Sequence, residues 1–251
     1  MIIGIEASHA NQVERTGVEE YCFQIIESLK KVIPPSEKVV LYSNTPLIEE
    51  MANLPSNWRL KILRWPLLKL WTQVRLSWHF LFHKPDVFFS PGQILPMFCP
   101  RKTITMVHDS AFMAYPAAYG FFSRGYLRWM NKRIINKSST VITSTEFNKS
   151  ELQKYYGGKA TKKTAVIPLG FNTVQPPLNF SPKKFGINKP YILSVGRLES
   201  TKNTKYLVHA FCVMKLSVDI QLVLVGRPGV GYRPIAKHIE QCPYIDDIVR
   251  L

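Results

Sequence analysis

The sequence predicts an α/β protein built on parallel sheets, with a complete first domain and an incomplete second one. Short β-branched runs alternate with segments of helical periodicity, and the runs are almost continuously apolar. Strands of that kind are covered by helices on both faces, which is the pattern of parallel sheets. The chain has 251 residues, of which 46% are hydrophobic, and this composition excludes a disordered or fibrous protein.

The first part of the chain contains a long series of predicted strands and helices. The strands are expected at residues 2–6, 38–42, 58–63, 86–89, 103–107, 141–143 and 165–169. The helices are expected at residues 18–31, 66–82, 122–136 and 145–155. Pro66 is well placed to begin the second of these helices. One face of that helix is apolar and is expected to pack on the sheet; it carries Leu67, Leu70, Trp71, Val74, Trp78 and Leu81.

A change of composition predicts a linker between two domains. Residues 175–190 contain four prolines and little periodicity, which is typical of a linker. We therefore expect a first domain at residues 1–174, a linker at 175–190 and a second domain at 191–251. In the second domain, strands are expected at residues 191–195, 221–225 and 248–251, with helices at 203–214 and 235–241. So short a series cannot close a doubly wound sheet, and we expect this domain either to be a fragment or to depend on the first domain or on a partner.

The strongly basic composition predicts an anionic partner. Lys and Arg number 33 against 17 Asp and Glu, for a net charge of +16, which fits nucleic acid, an acidic membrane or a phosphorylated substrate. No nucleic-acid-binding signature is present, so we expect no specific nucleic acid. No zinc spacing links the cysteines, and Cys22 and Cys212 are interpreted as small core residues of a reducing, cytoplasmic compartment. The first residues lack a signal peptide pattern.

Four loops that follow predicted strands contain candidate functional residues. Gly17 begins the first helix and either admits a phosphate to free N–H groups or merely permits a turn. Arg197 and Lys202 lie in the loop between the predicted strand at residues 191–195 and the helix that follows it. They either bind a diphosphate or form ion pairs with Glu199. His108 follows a buried strand and is either structural or part of a site, and no pairing with Asp109 is implied, because adjacent strand residues point apart.

A fourth loop, at residues 225–231, follows a predicted strand and is rich in glycine. Gly226 could approach a ribose or a phosphate. Glycine and proline are also the usual residues of a plain turn, and that alternative stays open.

Together these segments resemble the retaining glycosyltransferases of family 4, which have the GT-B fold. The resemblance rests on residues 16–21, 90–92, 107–109 with Pro116, 141–147, 166–172, 196–198 with 202–203, and 222–226. It implies two Rossmann-like domains, the first for an acceptor and the second for a sugar nucleotide. The acceptor would be a glycan or a lipid-linked saccharide.

The resemblance also implies roles for individual residues. Arg197 and Lys202 match the family's diphosphate-binding cations, Gly17 matches the loop that reaches the phosphate, and His108 matches a residue beside the transferred sugar. No metal or other cofactor is expected, and retention without an obvious nucleophile suggests attack from the same face, with the leaving phosphate as base. The family's two glutamates spaced seven residues apart would lie beyond Leu251. The resemblance therefore describes a truncated chain, expected to bind sugar nucleotide weakly and transfer little. The alternatives are a truncated, non-catalytic binding module or, less favoured, a basic nucleic-acid-binding protein.

Two basic segments predict where the excess charge lies. Residues 58–84 combine six Lys and Arg with four Trp, and Arg124, Arg128 and Lys132 follow one another on one predicted helix face. The first segment is either a packed helix with a basic outer face or an element that lies on a membrane. We expect peripheral contact with an anionic membrane surface, at the inner face of the cell membrane.

Overall fold

The structure is a computed structural model that describes residues 1–67, 70–171, 173 and 177–251. The chain divides into two compact units, Met1–Gly170 and Phe171–Leu251. Within the described residues, no helix has both the length and the apolar content needed to cross a bilayer.

The first unit contains a seven-stranded parallel sheet covered by helices on both faces. The strand order is β3-β2-β1-β4-β5-β6-β7, so the direction of winding reverses between β1 and β4. The strands are β1 Ile2–Glu6, β2 Lys38–Ser43, β3 Trp58–Ile62, β4 Val87–Ser90, β5 Lys102–Met106, β6 Thr140–Thr143 and β7 Thr164–Val166. The helices are α1 Gly17–Val32, α2 Glu49–Ala52, α3 Ser77–Phe82, α4 Ala111–Ala114, α5 Phe121–Lys137, α6 Glu146–Tyr156 and α7 Gly158–Lys163.

Two apolar clusters lie on the two faces of this sheet, because successive residues of a buried strand point to opposite sides. Val40 and Phe88 belong to the cluster that packs under α3 and α5. Ile5 and Leu41 belong to the cluster that packs under α1. The predicted α/β class with its parallel sheet is thereby confirmed.

The predicted helix at residues 66–82 is wrong in its start and in its buried face. Residues 68 and 69 lie outside the described residues, Leu70 has a left-handed backbone (φ 66), and the helix begins as a π-helix at Trp71–Leu76 before α3. A π-helix has more residues per turn than an α-helix and therefore rotates the face that meets the core. Trp71, Leu76 and Phe80 are buried, whereas part of the predicted inner face is exposed: Val74, Trp78 and Leu81.

The second unit contains a small parallel sheet of order β10-β9-β8. Its elements are β8 Tyr191–Val195, α8 Thr204–Met214, β9 Gln221–Val225, α9 Tyr232–Glu240 and β10 Ile248–Arg250. Val208 and Phe211 of α8 and Ile235 of α9 pack together with the strand residues Leu222 and Leu224. The other face of β8 exposes Tyr191, Leu193 and Val195.

A disulfide joins Cys212 of α8 to Cys242, just after α9. The interpretation of Cys212 as a reduced core residue is therefore wrong. Sequence alone could not find this pair, because the bond depends on two helices lying side by side. Cys22 is a free, buried thiol, as expected, and burial raises its pKa.

Candidate functional site

The candidate site of the first unit lies at the carboxyl ends of β1, β4 and β5. In open parallel sheets, ligands bind beyond this edge where the winding reverses. Here the loops after β1 and β4 lie next to each other because these two strands pair, and β5 is the next strand along. The site is therefore formed by three neighbouring loops and the start of α1.

The loop after β1 is held by a buried carboxylate at the end of that strand. Glu6 is completely buried, and its Oε1 accepts hydrogen bonds from the backbone N–H of Ser8 (2.8 Å) and from the Ser8 hydroxyl. The other carboxylate oxygen contacts Nδ1 of His9 at 2.9 Å. This contact orients the imidazole and leaves Nε2 without a hydrogen-bonding partner among the described residues.

The charges of Glu6 and His9 stabilise each other. Burial opposes ionisation of Glu6, but the His9 charge and the hydrogen bonds from His9 and Ser8 outweigh it and hold the pKa of Glu6 below its ordinary value. Burial also opposes protonation of His9, but the charges of Glu6 and Glu19 outweigh it and raise the pKa of His9. A buried ion pair of this kind costs desolvation, and each partner depends on the other to offset it.

The loop after β4 leaves space for the His9 ring. A Cβ at Gly92 would lie 2.8 Å from Cγ of His9 and 2.9 Å from its Nδ1. Such distances are shorter than van der Waals contact, so any side chain here would displace the ring. The glycine of the Ser90-Pro91-Gly92 segment is thus explained by the packing of His9 on the backbone.

His108 follows β5 and is fixed by backbone and side-chain contacts. Its Nε2 lies 2.8 Å from the carbonyl oxygen of Pro91, so Nε2 carries the proton and donates it, because a carbonyl can only accept. Tyr21 of α1 packs edge-on against the ring at 5.0 Å. Burial lowers the pKa of His108, so the ring is neutral at pH 7 and Nδ1 is an unprotonated acceptor. The carboxylate of the neighbouring Asp109 accepts a hydrogen bond from the backbone N–H of Ala111 (3.1 Å).

Gln93 joins the loops after β4 and β5. Its backbone is left-handed (φ 56), a conformation that costs on the order of 1 kcal/mol or more for a residue with a side chain. The side-chain oxygen accepts from the backbone N–H of His108 (2.8 Å), and the amide nitrogen donates to Asp109 O (3.1 Å) and to Asn131 (3.0 Å). Gln93 therefore holds His108 in place.

A cavity of about 720 Å³ lies beside His9. Its polar lining is formed by Glu19 of α1, Gln73 of the π-helix, and the loops that follow β1 and β2. Aromatic residues line another side: Phe122 is 88% exposed and lies at the open rim, and the hydroxyl of Tyr126 accepts from Gln73 Nε2 at 2.8 Å. The full described lining is Ser8, His9, Gln12, Glu19, Asn44, Leu70, Trp71, Thr72, Gln73, Ile94, Phe122, Ser123, Tyr126 and Leu127.

Gly17 is the first residue of α1, after the N-cap Thr16. A Cβ at this glycine would meet no atom within 4 Å, and its φ lies outside the left-handed region. Neither close packing nor backbone conformation within the described residues therefore requires a glycine here. The absence of a side chain leaves space beside Gly17, but the carboxylate of Glu19 in the first turn of α1 accepts a hydrogen bond from the backbone N–H of Thr16 (3.1 Å).

In the second unit, the loops after β8 and β9 pair with each other. The backbone N–H of Leu198 donates to Arg227 O (3.0 Å), and that of Gly229 donates back to Leu198 O (3.0 Å). The backbone N–H of Ser200 also donates to Val230 O (3.0 Å). These bonds extend the pairing beyond the carboxyl ends of the strands and hold the loop that carries Arg197 against the loop after β9.

Arg197 and Lys202 lie on the first of these loops, and both are exposed. Lys202 ends a short 3-10 turn, and α8 follows two residues later with no side-chain cap at its start. Glu199 accepts from the hydroxyl of Thr201 (2.5 Å). Within the described residues, neither cation forms an ion pair with Glu199 or with another carboxylate.

Gly226 has a structural reason to be glycine. Its φ is +148, and a Cβ here would lie 2.1 Å from the carbonyl oxygen of Gly196. The close approach of the two loops therefore requires a glycine at this position whether or not a nucleotide lies beside it. Gly196 also has a positive φ (+149), but the space beside it is open.

Comparison with known proteins gives the family. Residues 16–175 match the profile of Glycosyltransferase Family 4, and this match spans more than half of the chain. The protein belongs to this family. No curated protein matches the chain.

Solved structures share the fold. HepE of Anabaena, solved in complex with UDP-glucose, superimposes with a TM-score of 0.69 at 15% identity, over 100% of this chain and 68% of its own. A glycosyltransferase from Rickettsia africae superimposes with a TM-score of 0.54 at 16% identity, over 100% of this chain and 67% of its own. The match to the family profile confirms the resemblance to family 4 inferred from the motifs.

The sequence did not predict three residues of the site: Glu6, His9 and Gln93. Glu6 reads as the polar end of an apolar strand, and His9 reads as a loop residue. The one feature of the sequence that could have indicated the pair is Glu6 itself, because a carboxylate at the end of a buried strand needs a partner. The contacts of Gln93 depend on its left-handed backbone. The sequence does not indicate that conformation, because the residue that normally adopts it is glycine.

Proposed function

We propose that this chain carries the donor and acceptor sites of a retaining glycosyltransferase that uses a nucleotide-diphosphate sugar. The observation that carries the proposal is the pair of exposed cations Arg197 and Lys202 on a hydrogen-bonded loop before α8. In this proposal, the donor diphosphate binds Arg197 and Lys202. The open start of α8 adds backbone N–H groups and the positive end of the helix dipole.

Fixed positive charge at this position would assist the departure of the nucleotide. Breaking the bond between sugar and diphosphate increases negative charge on the leaving phosphate. Cations held in place before the reaction stabilise that charge more in the transition state than in the ground state. Because two cations and a helix dipole supply this stabilisation, the proposal requires no metal ion. A group of three or more His, Cys, Asp or Glu side chains that could hold one is absent from the described residues.

The first unit supplies groups for the sugar and the acceptor. His108 is neutral and has a free Nδ1, so it can accept a hydrogen bond from a hydroxyl of the transferred sugar. Gly17, which does not line the cavity beside His9, leaves space for a phosphate at the start of α1. The acceptor, a glycan or lipid-linked saccharide, attacks on the face from which the phosphate departs, and the phosphate takes up the proton of the attacking hydroxyl.

Calorimetric titration with UDP-glucose and with a GDP-sugar tests the donor site. Charge-assisted hydrogen bonds contribute roughly 1.5–3 kcal/mol, so Arg197→Ala or Lys202→Ala should weaken binding by about ten- to a hundredfold. Lys237→Ala is the matched control, because Lys237 is an exposed cation in the last turn of α9. Equal affinity of the parent chain and Arg197→Ala would remove the donor site.

We further propose that the first unit lies on an anionic membrane through a basic aromatic surface around α3. Val74, Trp78 and Leu81 are exposed at helical spacing, and Phe82 stacks edge-on against Trp78 at 6.0 Å. Apolar side chains at this spacing can enter the interfacial region of a bilayer while neighbouring Lys and Arg contact lipid phosphates.

A basic cavity of about 490 Å³ lies beside this surface. Its described lining includes Arg59, Lys61 and Lys84 and no acidic side chain. Positive charge thus accompanies the exposed aromatic residues, which favours an anionic bilayer over a neutral one. Arg124, Arg128 and Lys132 of α5 form no ion pair within the described residues and add to the basic character of the same unit.

Liposome flotation tests this surface. We expect the chain to float with vesicles containing phosphatidylglycerol, to float less in high salt, and to remain unbound to pure phosphatidylcholine vesicles. Trp78→Ala should reduce flotation, whereas Tyr206→Ala, an exposed aromatic residue of α8, should not. Flotation that does not depend on anionic lipid would contradict the proposal.

A further inference from the structure

We infer that the cavity beside His9 binds an uncharged pyranose of the acceptor, and that Nε2 of His9, aligned by Glu6, hydrogen-bonds one of its hydroxyls. This inference rests on the proposed glycosyltransferase function and specifies the chemistry of its acceptor.

His9 is held ready for a ligand. Nδ1 contacts the buried Glu6 carboxylate at 2.9 Å, and the ring lies against the backbone of Gly92. These two contacts restrict rotation about both side-chain torsions. Because Nε2 has no partner among the described residues and His9 lines the cavity, the free polar atom of a buried ion pair is available to whatever enters. A fixed hydrogen-bonding group loses little entropy on binding.

The walls of the cavity suit a sugar ring. A pyranose has hydroxyl groups around its edge and an apolar C–H face. Gln12, Asn44 and Gln73 supply amides on the polar side, and Phe122 supplies a flat exposed ring on the other. A few placed polar groups together with an aromatic wall are typical of a small-molecule site. The volume of about 720 Å³ is sufficient for a sugar unit.

The charge around the cavity excludes an anionic ligand. His9 and Glu19 are the charged side chains of its described lining, and Glu6 lies behind His9. Two carboxylates accompany one imidazole, so the net charge here is negative whether His9 is protonated or neutral. A phosphate or a uronic acid would therefore be repelled, although the chain as a whole carries +16. The excess positive charge of the protein lies elsewhere, so the phosphate of a lipid-linked acceptor would be bound outside this cavity.

Imidazole NMR tests the inference without requiring turnover. The chain has six histidines, so histidine-selective ¹⁵N labelling yields few signals, and His9→Gln identifies the signal of His9. The probes are the methyl glycosides of glucose, galactose and N-acetylglucosamine, with methyl glucuronide and glucose 6-phosphate as charged counterparts. We expect at least one neutral glycoside to shift the His9 signal saturably, with the charged probes weaker by roughly tenfold or more.

Two further variants make the result decisive. Phe122→Ala removes an exposed side chain, so the variant should fold, and its affinity for the glycoside should be several-fold lower. His209→Gln, which replaces an exposed histidine of α8, should leave that affinity unchanged. The inference is overturned if no neutral glycoside shifts His9 at tens of millimolar, if a charged probe binds more tightly, or if Phe122→Ala has no effect. UDP titration of the same samples separates the two proposals: UDP binding without glycoside binding contradicts only this inference, and the reverse result contradicts the proposed donor site.

Discussion

Replacing Gly92 by alanine tests the arrangement of Glu6 and His9 directly. The new methyl group would lie 2.8 Å from Cγ and 2.9 Å from Nδ1 of His9, well inside the optimal separation of about 3.5–4.0 Å between carbon atoms. Either the ring stays and is overpacked, at about 1–3 kcal/mol, or it moves and loses its contact with the Glu6 carboxylate, at roughly 1.5–3 kcal/mol. The two costs are alternatives, so the unfolding free energy of the first unit should fall by about 1–3 kcal/mol.

Urea unfolding followed by tryptophan fluorescence measures this loss. All five tryptophans, Trp58, Trp65, Trp71, Trp78 and Trp129, belong to the first unit, so the signal reports that unit alone. Gly125→Ala is the matched control: Gly125 lies in the second turn of α5, a Cβ there meets nothing within 4 Å, and the change should raise stability by about 0.5–1 kcal/mol. Unchanged stability of Gly92→Ala together with an unshifted His9 imidazole signal would refute the reasoning.

Three other predictions follow from the same contacts. The Glu6–His9 pair loses its contribution to stability as the pH falls through the lowered pKa of Glu6 and as the pH rises through the raised pKa of His9. The stability difference between the parent chain and Glu6→Gln should therefore be largest in mildly acid solution and should narrow on both sides; a difference independent of pH would contradict this. Gly226→Ala should destabilise the second unit by about 1–3 kcal/mol or more, because a positive φ is combined with a 2.1 Å approach to Gly196 O, and circular dichroism melting that shows no change would contradict the described pairing of the loops. Gln93→Gly should relieve the left-handed backbone but release His108, so the imidazole signal of His108 should shift while stability changes by less than about 1 kcal/mol; an unmoved signal would contradict the positioning role.

The hydrophobic pattern of the sequence predicts most strands and helices of the fold, and the elements that it predicts wrongly have physical causes. Strands 191–195 and 221–225 have the predicted bounds, because an apolar run of that length between turn residues has few alternatives. The face of the helix after Pro66 was mispredicted, because a π-turn cannot be read from a 3.6-residue period. The bond between Cys212 and Cys242 required knowledge of which helices are neighbours.

The candidate site was predictable where chemistry follows strand ends. His108 could be located from the sequence alone, because a histidine after a buried strand reaches the ligand edge of the sheet. The partners of His9 could not be located from the sequence. Glu6 lies at the end of the preceding strand, and Gly92 lies in a loop about eighty residues later. Packing also supplies a reason for Gly226 that no motif could have revealed.

The most direct test of the donor site compares how well UDP and UMP bind to the parent chain and to Arg197→Ala. If Arg197 holds the diphosphate, the parent chain should prefer UDP, and the variant should lose most of that preference while its affinity for UMP changes little. A preference for UDP that is equally strong in both proteins would contradict the account.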